Sequence, residues 1–180
     1  MYGMVNQAIK EMFIEHFNDQ KWIDLCESLN ISSEDFALFE QNSDTITLDL
    51  VLKISEVLEC DPSETLISFG KYWINYAFKS EYRDLLDTFS KSPVTLLKSL
   101  NSLHQSLELS FTDLNAPAFE MVEENANSAV IDYFSEREMP LEYFVKGLFL
   151  GIFDRHNQKC DITFDNESYS HCKARFTITW

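Results

Sequence analysis

Leu97, Leu100, His104 and Leu107 stand at i, i+3, i+7 and i+10 within residues 96–107. That spacing puts them on one face of a 3.6-residue period, so a histidine shares the apolar stripe of an amphipathic helix. A neutral imidazole among leucines must satisfy its ring nitrogens. It does so through hydrogen bonds, as a core residue, or by ligating a metal such as heme iron. Both readings are open at this point.

A second group of chemistry-bearing residues follows the apolar run Ala129-Val130-Ile131, which reads as a strand. If the chain stays extended, Tyr133, Ser135 and Arg137 share one face, and their hydroxyls and guanidinium form a row of donors suited to carboxylates. The two propionates of heme are carboxylates of this kind. The alternative is a solvated strand face that carries these residues without a ligand.

Several ordered blocks accompany the two features: Met1-Tyr2-Gly3-Met4-Val5-Asn6, Phe69-Gly70-Lys71-Tyr72-Trp73, Leu100-Asn101-Ser102-Leu103-His104, Leu109-Ser110-Phe111, Ala116-Pro117-Ala118-Phe119 and Gly147-Leu148. With these blocks the chain resembles the heme nitric oxide/oxygen binding family, H-NOX, which is related to the sensor region of soluble guanylate cyclase. The resemblance implies non-covalent heme b with His104 as proximal iron ligand and Leu100 packed on the proximal side. It further implies that Tyr133, Ser135 and Arg137 clasp the propionates and that Pro117 presses on the porphyrin and keeps it bent. A distal pocket of Val5, Ile9, Trp73, Phe144 and Leu148 is carried over in the same way.

Counted from Gly147, the place where oxygen-binding relatives carry a hydrogen-bonding tyrosine is taken by Phe144. A phenyl ring donates nothing, so the resemblance favours nitric oxide and carbon monoxide as ligands over stable oxygen binding. Tyr143 is the neighbour, and a shift of one residue would bring a phenol into the pocket, making an oxygen sensor. The family mechanism implies that nitric oxide breaks the iron–His104 bond, with Gly70, Gly147 and Gly151 as hinge candidates because glycine tolerates backbone change. It also implies an effector partner such as a histidine kinase or a cyclic-di-GMP enzyme, as in bacterial stand-alone members. A heme redox or scavenging protein and a heme-free adaptor are the competing readings.

The 180 residues suit a single H-NOX domain spanning 1–180, a helical part over about 1–60 and a heme-ligating, sheet-bearing part over about 61–180, without room for an output module. Thirty acidic against fourteen basic residues leave a formal charge of −16, which argues against nucleic acid and anionic membranes as partners. No signal peptide opens the chain, and the apolar run 143–153 is interrupted by Lys146 and too short to span a bilayer, so a cytoplasmic location is expected. Cys26, Cys60, Cys160 and Cys172 read as reduced thiols, and without C-x-x-C-H any heme is held non-covalently. His156, Cys160, His171 and Cys172 do not have the spacing of a zinc site, and Met139 stands where zinc-binding relatives carry a cysteine. G-x-S-x-G, a phosphate loop and H-E-x-x-H are absent, so a sensor and not an enzyme is expected.

The first half is helical in period: Val5, Ile9, Met12 and Phe13 form one apolar face, Trp22, Leu25, Cys26 and Leu29 another, and 47–58 a third. Ser33 or Asp35 is a candidate N-cap; Asp61-Pro62 opens a helix to about Phe78, and Ser92-Pro93 opens the helix of His104. After Pro117 the period becomes two, predicting strands over 118–122 and 129–133, a helix over 140–156 and a second hairpin over 160–164 and 172–179. Helices followed by strand-strand-helix-strand-strand define an α+β fold, an N-terminal helical subdomain on a four-stranded antiparallel sheet.

Overall fold

The computed structural model describes residues 3–32, 36, 43–80, 82–108 and 115–180. Its elements are α1 (Gly3–His16), α2 (Asp19–Leu29), α3 (Asp44–Leu58), α4 (Pro62–Ala77), α5 (Arg83–Phe89), α6 (Pro93–Glu108), β1 (Ala118–Asn125), β2 (Ser128–Phe134), α7 (Glu142–Arg155), β3 (Asp161–Asp165) and β4 (Ala174–Thr179). The strands form one antiparallel sheet in the order β1-β2-β4-β3, so β1 and β3 are its edges. The fold is α+β.

Local chemistry explains most boundaries. Asp61 accepts the Ser63 N–H at 2.8 Å with Pro62 at the first helical position, and Ser92 Oγ accepts the Thr95 N–H at 3.1 Å. Asn18 caps α2, and Asn30 closes it in the left-handed conformation at φ 54°. The predicted caps Ser33 and Asp35 lie outside the described residues, as do Met1, Tyr2 and 109–111 of the resemblance blocks. Strand β1 runs three residues beyond the predicted end at Val122. A bulge between Met121 and Glu123 lets pairing continue to Asn125↔Ser128. Helix α5 has no counterpart in the sequence reading, being seven residues without a side-chain cap.

Two apolar clusters make up the core. One joins α1, α2, α3 and the first half of α4 around Ile9, Phe13, Trp22, Leu50 and Phe69. The other joins the sheet to α6, α7 and the end of α4 around Leu96, Phe119, Tyr133, Phe149 and Phe176. Helix α4 belongs to both and crosses α7 at backbone contact. A Cβ on Gly70 would lie 2.3 Å from the Phe144 carbonyl oxygen, and one on Gly147 would lie 2.2 Å from that of Ile67. No glycine has positive φ, and in this conformation Gly70, Gly147 and Gly151, the hinge candidates, serve close packing of α4 on α7.

Gly70→Ala and Gly147→Ala push a methyl into fixed backbone and should each cost about 1–3 kcal/mol, read as a lowered thermal midpoint. Gly151→Ala should cost less, because its nearest neighbour at 3.0 Å is the side chain of Ile74.

Candidate functional site

Where the two clusters meet, a cavity of about 260 Å³ opens, its walls drawn from α1, α3, α4, α6, α7 and the sheet. Val5, Phe69, Trp73 and Phe144 come from the helical cluster; Leu100, Leu103, Phe119, Tyr133 and Phe149 come from the sheet side. The volume is just under the roughly 300–1,000 Å³ usual for small-molecule sites.

His104 lines this cavity from α6. Its Nδ1 lies 2.9 Å from the Pro117 carbonyl oxygen, which can only accept, so Nδ1 carries the hydrogen. Nε2 is then the nitrogen with a free lone pair, and it has no hydrogen-bond partner among the described residues. Burial lowers the His104 pKa, opposed by the Pro117 hydrogen bond and the charge of Glu108, so the ring is neutral at neutral pH. A neutral imidazole with Nδ1–H anchored on a backbone carbonyl is how proteins present Nε2 to a metal. Pro117 therefore supplies a carbonyl to the histidine as well as lining the cavity, a role its residue type does not reveal.

Leu100, Pro117, Tyr133, Arg137, Val5, Trp73, Phe144 and Leu148 also line the cavity. Two residues predicted with them do not. Ile9 is fully buried one layer back, among the helices of the N-terminal cluster. Ser135 faces a separate shallow crevice with Asn115 and Glu136. The strand ends at Phe134, so Ser135 and Arg137 lie beyond its ladder. There Ser135 Oγ accepts the Arg137 N–H at 3.2 Å. Tyr133 remains coupled to both: burial pushes its phenol pKa up, while a hydrogen bond with Ser135 and the charge of Arg137 pull it down.

Arg137 already holds a carboxylate. Its Nη1 donates to both oxygens of Asp44 at 2.6 Å, and Nη2 to the Asn115 carbonyl at 3.3 Å. Burial resists ionisation of Asp44, but the Arg137 bonds help hold its pKa below the usual value. Asp44, at the start of α3, thus ties the helical part to the loop after β2. Sequence reasoning missed it, because the pair spans 93 residues and no local motif marks it.

The Tyr143–Phe144 ambiguity resolves in the geometry. Phe144 packs on Phe69 with ring centroids 5.1 Å apart and lines the cavity. Tyr143 is turned to the sheet, its ring edge-on to Phe164 at 5.1 Å and partly exposed.

Of the cysteine and histidine candidates, His171 and Cys172 gather beside Asp132, with ligand atoms within 4.8 Å. Asp132 is buried, and Arg175 donates to its two oxygens at 2.6 and 2.7 Å, so a cation is in place there. His156 is engaged elsewhere, with Nδ1 on the Ile152 carbonyl and Nε2 near Ser90. Burial pushes the Cys160 thiol up to about 11. Among the described residues no helix is long and apolar enough to cross a membrane.

Comparison with known proteins gives a consistent picture. The family described as Haem-NO-binding matches residues 2–164. Soluble guanylate cyclase gcy-33 of Caenorhabditis elegans is 21% identical over 145 residues, covering 81% of this chain and 15% of the cyclase. The chain therefore spans less than a quarter of that relative's length. An H-NOX protein from S. oneidensis, solved in the Fe(II)NO ligation state, superposes with a TM-score of 0.86 at 16% identity, covering 100% of this chain and 98% of that one. The IWP-051-bound H-NOX from Shewanella woodyi in the Fe(II)CO ligation state gives 0.82 at 24% identity, covering 99% and 94%.

Arg175 bonds, offset by burial and aided by His171, hold the Asp132 carboxyl down to about 2, below its usual 3.8. A depressed folded-state pKa stabilises above about pH 4, and that stabilisation is lost as pH falls toward 2. Arg175→Gln should lower the urea midpoint at pH 6, and its gap to the wild type should narrow as the pH falls to 3.

Proposed function

The chain belongs to the Haem-NO-binding family, and from that premise we propose that it is a heme-based gas sensor that binds nitric oxide at ferrous heme and answers by releasing His104. The observation that carries the reading is the neutral His104 in the cavity wall, its Nδ1 anchored on Pro117 and its Nε2 free to ligate. His104 would hold heme b without a covalent link, and the iron would supply the site at which a diatomic gas binds.

The residues of the chain divide the remaining work. Tyr133 and Arg137 line the cavity and would meet the propionates, with Ser135 Oγ accepting the Arg137 N–H beside them. Asp44 orients the Arg137 guanidinium, and this pairing with a carboxylate supports the reading that the same group would meet a propionate. Pro117 and Leu100 pack from the side of His104; Val5, Trp73, Phe144 and Leu148 form the opposing, largely apolar wall. Phe144 offers no hydrogen bond to bound oxygen, which favours nitric oxide and carbon monoxide as ligands. An oxygen sensor is the second reading, and the indole N–H of Trp73 is the group that would serve it.

If the ligand released His104, α6 would be the element free to move, and any bias between two states would come from the ligand's different affinity for each. The output passes to an effector, for which a histidine kinase or a cyclic-di-GMP enzyme is our candidate. Neither heme redox turnover nor a heme-free adaptor has a specific geometric feature in its favour. We assign the chain no catalytic role of its own.

The test is the absorption spectrum of the reduced protein under nitric oxide, carbon monoxide and air. The expected results are a five-coordinate ferrous heme, a five-coordinate nitrosyl, a carbon monoxide complex and no stable oxygen complex. His104→Gly should lose heme unless imidazole is supplied, Arg137→Ala should weaken heme retention about tenfold or more, and Phe144→Tyr should gain a measurable oxygen complex. Colourless wild-type protein from heme-replete cells would overturn the reading.

A further inference from the structure

Helix α6 is joined to the edge strand β1 at a second point besides His104. Asn101 Nδ2 donates to the Phe119 carbonyl at 2.7 Å, and the Phe119 N–H donates to Asn101 Oδ1 at 2.9 Å. Both backbone groups of Phe119 thus point off the open edge of the sheet, and the Asn101 carboxamide pairs with them as a neighbouring strand would. The orientation of the amide follows, since the flipped form would set donor on donor.

Asn101 and His104 are three residues apart and share a helix face, while their partners Phe119 and Pro117 are two apart on an extended chain. The two contacts therefore fix the helix along the strand in one register. The Phe119 ring completes the link: it packs on His104 at 6.1 Å and on Tyr133 at 5.6 Å. Asn101 stands at the exposed rim of the contact, where water competes for both hydrogen bonds. Bonds of that kind hold a position yet open readily.

We infer that Asn101 is a positioning residue, the second point of a two-point latch between α6 and β1 that sets how readily His104 leaves the iron. The inference rests on the gas-sensor reading. As α6 moves, the carboxamide withdraws from Phe119 together with the imidazole from the cofactor, so the latch opposes release. Weakening it favours the released state.

The experiment uses the heme-loaded ferrous protein with Asn101→Ala, Asn101→Asp and, as a control on the same helix, Ser106→Ala. Amide exchange at Phe119 in the carbon monoxide complex reads the latch itself. It should quicken about tenfold in N101A and stay near wild type in N101D, which keeps the acceptor. Stopped-flow mixing with nitric oxide reads the consequence. N101A should raise the rate of forming the five-coordinate nitrosyl about tenfold. N101D, which sets a carboxylate against the Phe119 carbonyl, should fall between, and S106A should match wild type. Faster Phe119 exchange with nitrosyl conversion within twofold of wild type would overturn the positioning role while leaving the gas-sensor reading intact. Unchanged exchange would remove the latch. Wild-type protein without heme would overturn both.

Discussion

The hydrogen bond from His104 Nδ1 to the Pro117 carbonyl is the constraint on which the site depends. It fixes the tautomer, turns Nε2 into the free donor and sets the ring at one angle to the helix axis. Burial reinforces it by disfavouring the imidazolium. Because the acceptor is a backbone atom at the entrance to an edge strand, the ring position is set by main chain for as long as that bond holds.

Two further ties bring the helical part to the same place. The Gly70–Gly147 crossing presses α4 against α7 so closely that neither position has room for a Cβ. Phe144 lies on the cavity flank of that contact and Tyr143 on the sheet flank. Asp44 then spans from α3 to Arg137, so a group that displaces or shares the Arg137 guanidinium acts directly on the junction between the two cores. The cavity is therefore bounded by elements that are joined at a few identifiable points and otherwise meet through apolar surface.

The change of period at Pro117 made the α+β order and the four strands legible, and Pro62 and Pro93 marked two helix starts that the structure keeps. The histidine was legible because it interrupts a leucine stripe. Ser135 lies past the end of β2 at Phe134, which the period of the preceding strand does not announce. Ile9 is fully buried and off the cavity wall, a distinction helical period cannot make because it gives a face and not a depth. Asp44 and the Asn101–Phe119 pair were out of reach for a different reason. Their partners are 93 and 18 residues away, and a polar residue on a helix does not announce which distant backbone or side chain it meets.

The most direct test of the account is the protonation pattern of the His104 ring, read by long-range proton–nitrogen correlation on protein labelled with 15N-histidine, before and after loading with ferrous heme and carbon monoxide. The account predicts a neutral ring with hydrogen on Nδ1 at neutral pH in both states, and a resonance change on loading that is concentrated at Nε2. Hydrogen on Nε2, an imidazolium at neutral pH, or an Nε2 signal untouched by heme would contradict it.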